Sequence, residues 1–146
     1  MKKTSLILLF LYAILILALL VLVVAGARLY AGAVDRRASH DNQRLALAYI
    51  QSQTAGNETQ VRTADMAFGQ ALLLSEGEDL KTVIYLYGGQ LRTQLWRGTM
   101  NFFPEEGNVL CDLDSLEFTW EAPGLLKITA GDNTGYARCG GGSGER

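Results

Sequence analysis

The chain has 146 residues and a net charge of −2, which leaves room for one small domain beside any membrane segment. Residues 1–54 carry six Lys or Arg against two Asp or Glu, whereas residues 55–146 carry seven against thirteen. An acidic globular half repels phosphates, so this distribution disfavours nucleic-acid binding. Two cysteines and one histidine are too few ligands for structural zinc, and we expect neither a metal nor a cofactor.

Residues 4–27 form an uncharged apolar run of 24 residues, rich in Leu, Ile, Val and Ala. As a helix this run would be about 36 Å long, which exceeds the roughly 30 Å hydrocarbon core of a bilayer. We therefore predict a transmembrane helix at 4–27. Lys2 and Lys3 precede it and favour a cytoplasmic amino terminus at 1–3. The expected location is the cell membrane, with a single span and an extracytoplasmic carboxyl-terminal domain.

The apolar run also has a second interpretation, as a secretion signal. Ala25 and Ala27 stand in the A-x-A arrangement that is typical of cleavage sites. Signal peptides, however, have apolar cores of about 7–15 residues, and this run is longer. Its length favours a retained anchor, and the cleaved alternative predicts a released domain.

The helix is expected to continue beyond the membrane over residues 28–53, which contain no proline. Small or apolar residues recur there at helical spacing: Val34, Ala38, Leu45, Ala48, Tyr49 and Ser52. The other face carries Arg36, Arg37, His40, Asp41, Gln43 and Arg44. We predict one helix from about Ser5 to Gln53, which Gly56 and Asn57 end within a linker at 54–60.

Residues 61–139 change to the alternating pattern of β-strands. In 80–98 two alternating stretches flank Gly88-Gly89, which predicts a hairpin because glycine readily adopts the positive φ of a two-residue turn. Residues 115–131 repeat this pattern around a Pro-Gly turn. Further strands are predicted at 68–76, 109–113 and 135–139, before a flexible glycine-rich tail at 140–146. The predicted class is α+β: a long amino-terminal helix followed by a small antiparallel β-sheet domain.

No set of residues in the sequence has the spacing of a catalytic site, and we predict that the protein is not an enzyme. His40 and Asp41 are adjacent, so on a helix they would point about 100° apart rather than form a triad. Asp112 and Asp114 share one face of a strand, where ordinary surface acids beside a turn are the simpler interpretation.

Two groups of side chains leave alternatives open. Cys111 and Cys139 could form one disulfide if the domain lies outside the cytoplasm, or they could be two buried free thiols. Most aromatic residues of the strands are expected in the core. Trp96, Phe102 and Phe103 surround one loop, and an exposed subset of them would form a partner surface.

A long helix with an apolar first half, followed by an antiparallel β domain, resembles type IV pilins and the pseudopilins of type II secretion and competence systems. The chain is also similar to a family of uncharacterised, membrane-anchored Gram-positive proteins with a pseudopilin-like domain. This similarity rests on "RLALAYIQSQ", "GQALLLSE", "TVIYLYGGQLRTQL", "LDSLEFTW" and "GLLKITAG". The amino terminus departs from the prepilin pattern, since no glycine precedes Gly26 and no acidic residue precedes Asp35.

The resemblance implies a non-catalytic, membrane-anchored subunit or accessory protein of a pilus, secretion or competence-type assembly. Its partners would be the membrane and other pilin-like subunits or an assembly-platform protein, in a homo- or hetero-oligomer. Small side chains let helices approach closely in lipid. The expected helix-packing residues are Ala13, Ala18, Ala25, Gly26, Ala38, Leu45 and Tyr49. The alternative is a solitary anchored or secreted domain that binds an extracytoplasmic ligand.

Overall fold

The computed structural model describes residues 2–55, 60–140 and 143–144, and for 143–144 it describes the backbone alone. One helix, α1 (Lys2–Thr54), precedes a series of β-strands, which confirms the predicted α+β class. The chain divides into two compact units, Met1–Ala38 and Ser39–Arg146. The first contains the helix up to Ala38, and the second contains the last part of α1 together with every strand.

The strands of the second unit form two sheets. In chain order they are β1 (Gln60–Met66), β2 (Gly69–Ser75), β3 (Leu80–Tyr87), β4 (Gln90–Arg97), β5 (Asn108–Asp112), β6 (Leu116–Ala122), β7 (Leu125–Ala130), β8 (Asn133–Arg138) and β9 (Ser143–Gly144). The larger sheet has the order β5-β4-β3-β2-β1-β9, and the smaller has the order β6-β7-β8. All neighbouring strands are antiparallel except β9, which pairs parallel with β1.

Both predicted hairpins are present. Gly88 and Gly89 join β3 to β4 with φ of 60° and 73°, as a two-residue turn that matches strand twist requires. Gly124 follows Pro123 in the turn between β6 and β7, and its φ is 78°. The predicted strands at 68–76, 109–113 and 135–139 correspond to β2, β5 and β8.

Two strands, β1 and β9, were not predicted from the sequence. β1 contains one fully buried apolar side chain, Val61, so its alternating pattern is weak. β9 lies in the predicted tail, where pairing with Arg62 and Thr63 of β1 gives Ser143–Gly144 a strand conformation. The predicted helix stop at Gly56 and Asn57 lies outside the described residues, as does most of the tail.

The main core lies between the last part of α1 and the two sheets. Its fully buried aliphatic members include Ile50 of the helix, Leu72 and Ile84 of the larger sheet and Ile128 of the smaller. Each such side chain contributes about 1.5–3 kcal/mol by leaving water. The helix therefore belongs to the core of the second unit from about Gln43 onwards.

The buried face of this helix segment differs from the predicted stripe. The buried residues are Gln43, Ala46, Leu47, Ile50 and Thr54, at helical spacing. Leu45 is 54% exposed, Ala48 is exposed and Tyr49 is half-buried. Gln43 was assigned to the polar face, but it is buried because the Asn133 side-chain amide donates to its Oε1 at 3.0 Å. A polar residue thus takes a core position once its hydrogen bond is met.

Polar contacts hold the smaller sheet against the helix and the larger sheet. Gln51 Nε2 donates to the backbone oxygen of Tyr136 on β8 at 3.0 Å. Trp120 Nε1 on β6 donates to Thr63 Oγ1 on β1 at 3.0 Å. The backbone amide of Phe118 donates to Gln70 Oε1 at 2.9 Å. These contacts link β6 and β8 to elements outside their own sheet.

Candidate functional site

The part of α1 in the first unit is a candidate membrane span. Every residue from Lys2 to Ala38 is exposed, including the apolar run of residues 4–27. Length and composition suffice for one crossing of a bilayer, and the most apolar part of the helix has no contact that buries it. A helix of this composition needs lipid or other helices around it, because water would face an uninterrupted apolar surface.

Five of the predicted helix-packing residues lie in this exposed part: Ala13, Ala18, Ala25, Gly26 and Ala38. Nothing lies within 4 Å of a Cβ placed at Gly26, so a close approach by another helix is sterically open there. The other two, Leu45 and Tyr49, lie in the second unit. The packing role of all seven remains a prediction.

Leu45 and Tyr49 border an apolar notch in the second unit. The notch has a volume of about 70 Å³ and is lined by Leu45, Ala46, Tyr49, Leu91, Leu110 and Cys111. Its strand side depends on a β-bulge, because the register of β4 and β5 shifts between Leu91 and Arg92. Leu110 is the extra residue, and it packs beside Cys111 against the main core.

Leu110 and Val109 were not predicted from the sequence as surface features. Val109 is 49% exposed, and Leu110 is only half-buried. The available signal was the apolar triplet Val109-Leu110-Cys111, which interrupts strict alternation in a short strand. Such an interruption is typical of a bulge, which turns two neighbouring side chains towards the same side.

The predicted aromatic surface is largely part of an intramolecular cluster on the other face of the larger sheet. Phe102 stacks on Phe68 with ring centroids 5.6 Å apart, and it meets Tyr85 and Trp96 edge-on at 5.2 and 5.9 Å. Trp96 Nε1 donates to the backbone oxygen of Met100 at 2.8 Å. Trp96 and Phe102 are therefore half-buried, and they hold the loop between β4 and β5 against the sheet.

Phe103 is the predicted partner-surface residue that faces solvent, at 49% exposure, and Met100 in the same loop is 62% exposed. Tyr85 on β3 holds this loop against the sheet, because its hydroxyl donates to the backbone oxygen of Pro104 at 2.8 Å. Burial raises the pKa of Tyr85, and the Arg92 cation opposes this rise. Gly107 is required beside Tyr85, because a Cβ there would overlap the phenol oxygen.

Cys111 and Cys139 are buried free thiols in the structure. Cys111 Sγ lies 3.6 Å from the backbone oxygen of Asn42, and Cys139 Sγ lies 4.0 Å from that of Ala137. Burial raises the pKa of both thiols, and the Asp112 carboxylate raises that of Cys111 further. A raised pKa suppresses the thiolate, so neither group is arranged as a nucleophile.

The described residues contain no group of three or more His, Cys, Asp and Glu that could hold a metal ion. Asp112 is tied to its neighbour on β4, since Gln90 Nε2 donates to its Oδ1 at 3.3 Å. His40, Asp41 and Asp114 are exposed. The surface features of the second unit include the notch beside β5 and the exposed side chains of the loop at Phe103.

Comparison with known proteins gives one family. The model of a domain of unknown function, DUF4860, matches residues 41–133, which span the end of α1 and the strands β1 to β7. No curated protein and no solved structure matches the chain. Because the matched segment covers well over half of the chain, the protein belongs to the DUF4860 family.

Proposed function

We propose that the protein is a non-catalytic, membrane-anchored, pseudopilin-like subunit or accessory protein of a pilus, type II secretion or competence-like assembly. The observation that carries this proposal is the continuous helix α1, whose exposed apolar first part precedes a segment that packs into a β domain. A helix of that kind can contact neighbouring helices in lipid while its far end stays fixed to a folded domain.

The proposed orientation places residues 1–3 in the cytoplasm and the β domain outside it. Lys2 and Lys3 support a cytoplasmic amino terminus, because basic residues are retained on that side. The acidic excess of the second unit supports an extracytoplasmic position. A reporter enzyme that is active only outside the cytoplasm should be active when it is fused after Ala55 and when it is fused after Arg138. A reporter that is active only in the cytoplasm should be inactive at both positions, and its activity there would contradict the orientation.

The contact surface is assigned to the small residues of the membrane segment. Ala18 and Ala25 are seven positions apart, so they lie on the same side of the helix after two turns. Helices can approach closely over such positions, and larger side chains there would hold them apart. The proposed contact therefore depends on residue size rather than on charge or hydrogen bonds.

The test is co-purification of the tagged full chain from membranes of its own cells. We expect other single-span membrane proteins with an amino-terminal helix to co-purify. The double substitution Ala18→Leu and Ala25→Leu should reduce the yield of these partners at least fivefold. The matched control is Ala48→Leu, on an exposed helical position of the second unit. Equal recovery with all three chains, or no such partner at all, would reject the packing role.

A second candidate is a solitary domain that binds an extracytoplasmic ligand after release or while anchored. The observation that favours it is the pair of exposed apolar side chains, Met100 and Phe103, on one loop. The intact mass of the native protein separates the two candidates. A full-length mass in the membrane fraction supports the anchored subunit, whereas a chain that starts near Arg28 supports the released domain.

A further inference from the structure

The open edge of the larger sheet differs from the other sheet edges. β9 pairs with β1 at the opposite end of that sheet. In the smaller sheet, the amide of Phe118 on β6 bonds to Gln70, and the oxygen of Tyr136 on β8 bonds to Gln51. Among the residues that the structure describes, β5 pairs with β4 alone, so the outer side of its backbone is available to another strand.

The middle of the β5 edge, from Val109 to Cys111, is apolar, whereas edges of soluble proteins are commonly protected by charge. Protected edges tend to carry Lys or Pro, and residues 108–112 contain neither. Val109 is 49% exposed on this strand, and Leu45 is 54% exposed at the adjoining notch. The bulge and the length of five residues limit pairing along the edge, but they do not fill the notch.

The surroundings of the edge are acidic. Residues 105–117 contain five carboxylates and no Lys, Arg or His: Glu105, Glu106, Asp112, Asp114 and Glu117. Cys111 faces the main core, so the next residue, Asp112, projects to the opposite face of the sheet. A strand added to β5 would therefore place alternate side chains towards the apolar notch and towards the face that carries Asp112.

We propose that β5 binds an extended segment of a partner protein in which apolar residues alternate with Lys or Arg. Backbone hydrogen bonds to β5 supply the pairing, and charge complementarity with the acidic residues selects the basic residues. One apolar side chain enters the notch, whose volume of about 70 Å³ is several times the roughly 10–15 Å³ that one water needs. This surface is separate from the membrane segment that carries Ala18 and Ala25. Leu45 and Tyr49, which were also predicted to pack against other helices, line its notch.

The test uses the full chain in phosphatidylcholine nanodiscs and a fluorescent peptide, acetyl-KVKLKVK. Anisotropy measures binding, with empty nanodiscs as the blank, and hydrogen exchange locates it. We expect saturable binding and slower amide exchange at Asn108–Asp112. The acidic peptide EVELEVE should not bind, and KVKPKVK should bind at least fivefold more weakly, because proline removes a strand donor.

Two charge variants locate the site independently of the peptide series. Asp112→Lys should weaken binding of the basic peptide about fivefold or more, since like charges on paired strands repel. The matched control is Asp65→Lys, an exposed position on β1 with the same change in charge, and it should alter binding less than twofold. Unchanged melting temperatures confirm that both variants fold.

Three outcomes would overturn the proposal. The first is the absence of saturable binding of the basic peptide. The second is protection that falls outside β5, or an equal loss of affinity in the two charge variants. The third is slower exchange at Asn108–Asp112 that grows with protein concentration without peptide, which would assign the edge to a second copy of this chain.

Discussion

The two parts of α1 use apolar side chains in opposite ways. From Lys2 to Ala38 every side chain is exposed, and the apolar residues there surround the helix on all sides. From Ser39 to Thr54 the buried residues form one narrow face, with Ala46 and Ile50 fully inaccessible. The first part of the helix is thus a candidate membrane span, and the second part packs against the β-sheets.

This difference shows what apolar content alone can and cannot tell. A helix that is apolar on all sides is typical of a membrane span, whereas a helix with one apolar face is typical of packing against a protein core. In the second part, the contacts with the β-sheets determine which helical face is buried, because Gln43 is buried while Leu45 is exposed. Composition thus indicates the environment of the first part, and only tertiary contacts decide the second.

Truncating one apolar side chain in each part of α1 should have very different effects on the free energy of unfolding. Ile50→Ala should lower the free energy of unfolding of the β domain by about 2–5 kcal/mol, because it opens a cavity in the main core. Leu15→Ala, in the exposed apolar run, should change it by less than about 0.5 kcal/mol. Urea unfolding of the full chain in detergent, followed by tryptophan fluorescence, measures both.

Leu45→Ala is the control within the second part of the helix, since Leu45 is 54% exposed. Its effect on unfolding should stay below about 1 kcal/mol, as for other surface truncations. If Leu45→Ala and Ile50→Ala destabilised the domain equally, the helical face assigned to the core would be wrong.

A smaller effect is expected at the contact between Gln43 and the turn after β7. Gly131 has φ of 59°, and a Cβ there would overlap the Gln43 amide. Gly131→Ala should therefore cost about 1–3 kcal/mol, partly from the left-handed backbone and partly from displacement of Gln43. Thermal unfolding of the full chain gives this value, and Gly98→Ala, with open space around it, is the matched control.

A double-mutant cycle separates the two causes. In a Gln43→Ala background the overlap disappears but the backbone strain remains, so Gly131→Ala should cost less than in the native chain. The coupling between the two positions should exceed about 0.5 kcal/mol. Additive costs would show that Gln43 does not pack against this turn as described.

Much of the fold follows from local signals in the sequence. Gly88-Gly89 between alternating strands specifies a hairpin, and an uncharged run of 24 residues specifies a helix long enough to cross a bilayer. β1 was missed because it buries little beyond Val61, so its pattern lacks the alternation that marks a half-buried strand. β9 was missed because a Ser-Gly pair has no strand preference of its own.

The candidate surfaces were less predictable, because they depend on contacts between distant residues. Trp96, Phe102 and Phe103 were expected around one loop as a possible partner surface. The packing of Phe102 against Trp96 and against Phe68 depends on the folded sheet. The notch requires a bulge at Leu110 and a helix that passes beside it. The triplet Val109-Leu110-Cys111 indicates a bulge, but the register of β5 on β4 and the helical face beside it depend on contacts between separate elements.

The β domain and the membrane part of α1 should also differ in how their stability depends on pH. Burial raises the pKa of the Cys111 and Cys139 thiols above the ordinary 9.0, and that of Tyr85 above 10.0. The folded domain therefore holds these protons more tightly than the unfolded chain does. The contribution of these three groups to the free energy of unfolding is fully present below about pH 9. It is lost as the pH rises, first when the thiols lose their protons and then when Tyr85 does.

Urea midpoints at pH 8.0 and 10.5 should show this decline for the β domain, and it should be shallower in Cys139→Ala, which lacks one of the three groups. The membrane part should respond differently, because the apolar run of residues 4–27 contains no Asp, Glu, Lys, Arg, His or Cys. Alkaline carbonate should leave the full chain in the membrane pellet under conditions that weaken the domain. Release of the chain at high pH, or a pH-independent urea midpoint, would contradict the separate environments assigned to the two parts of α1.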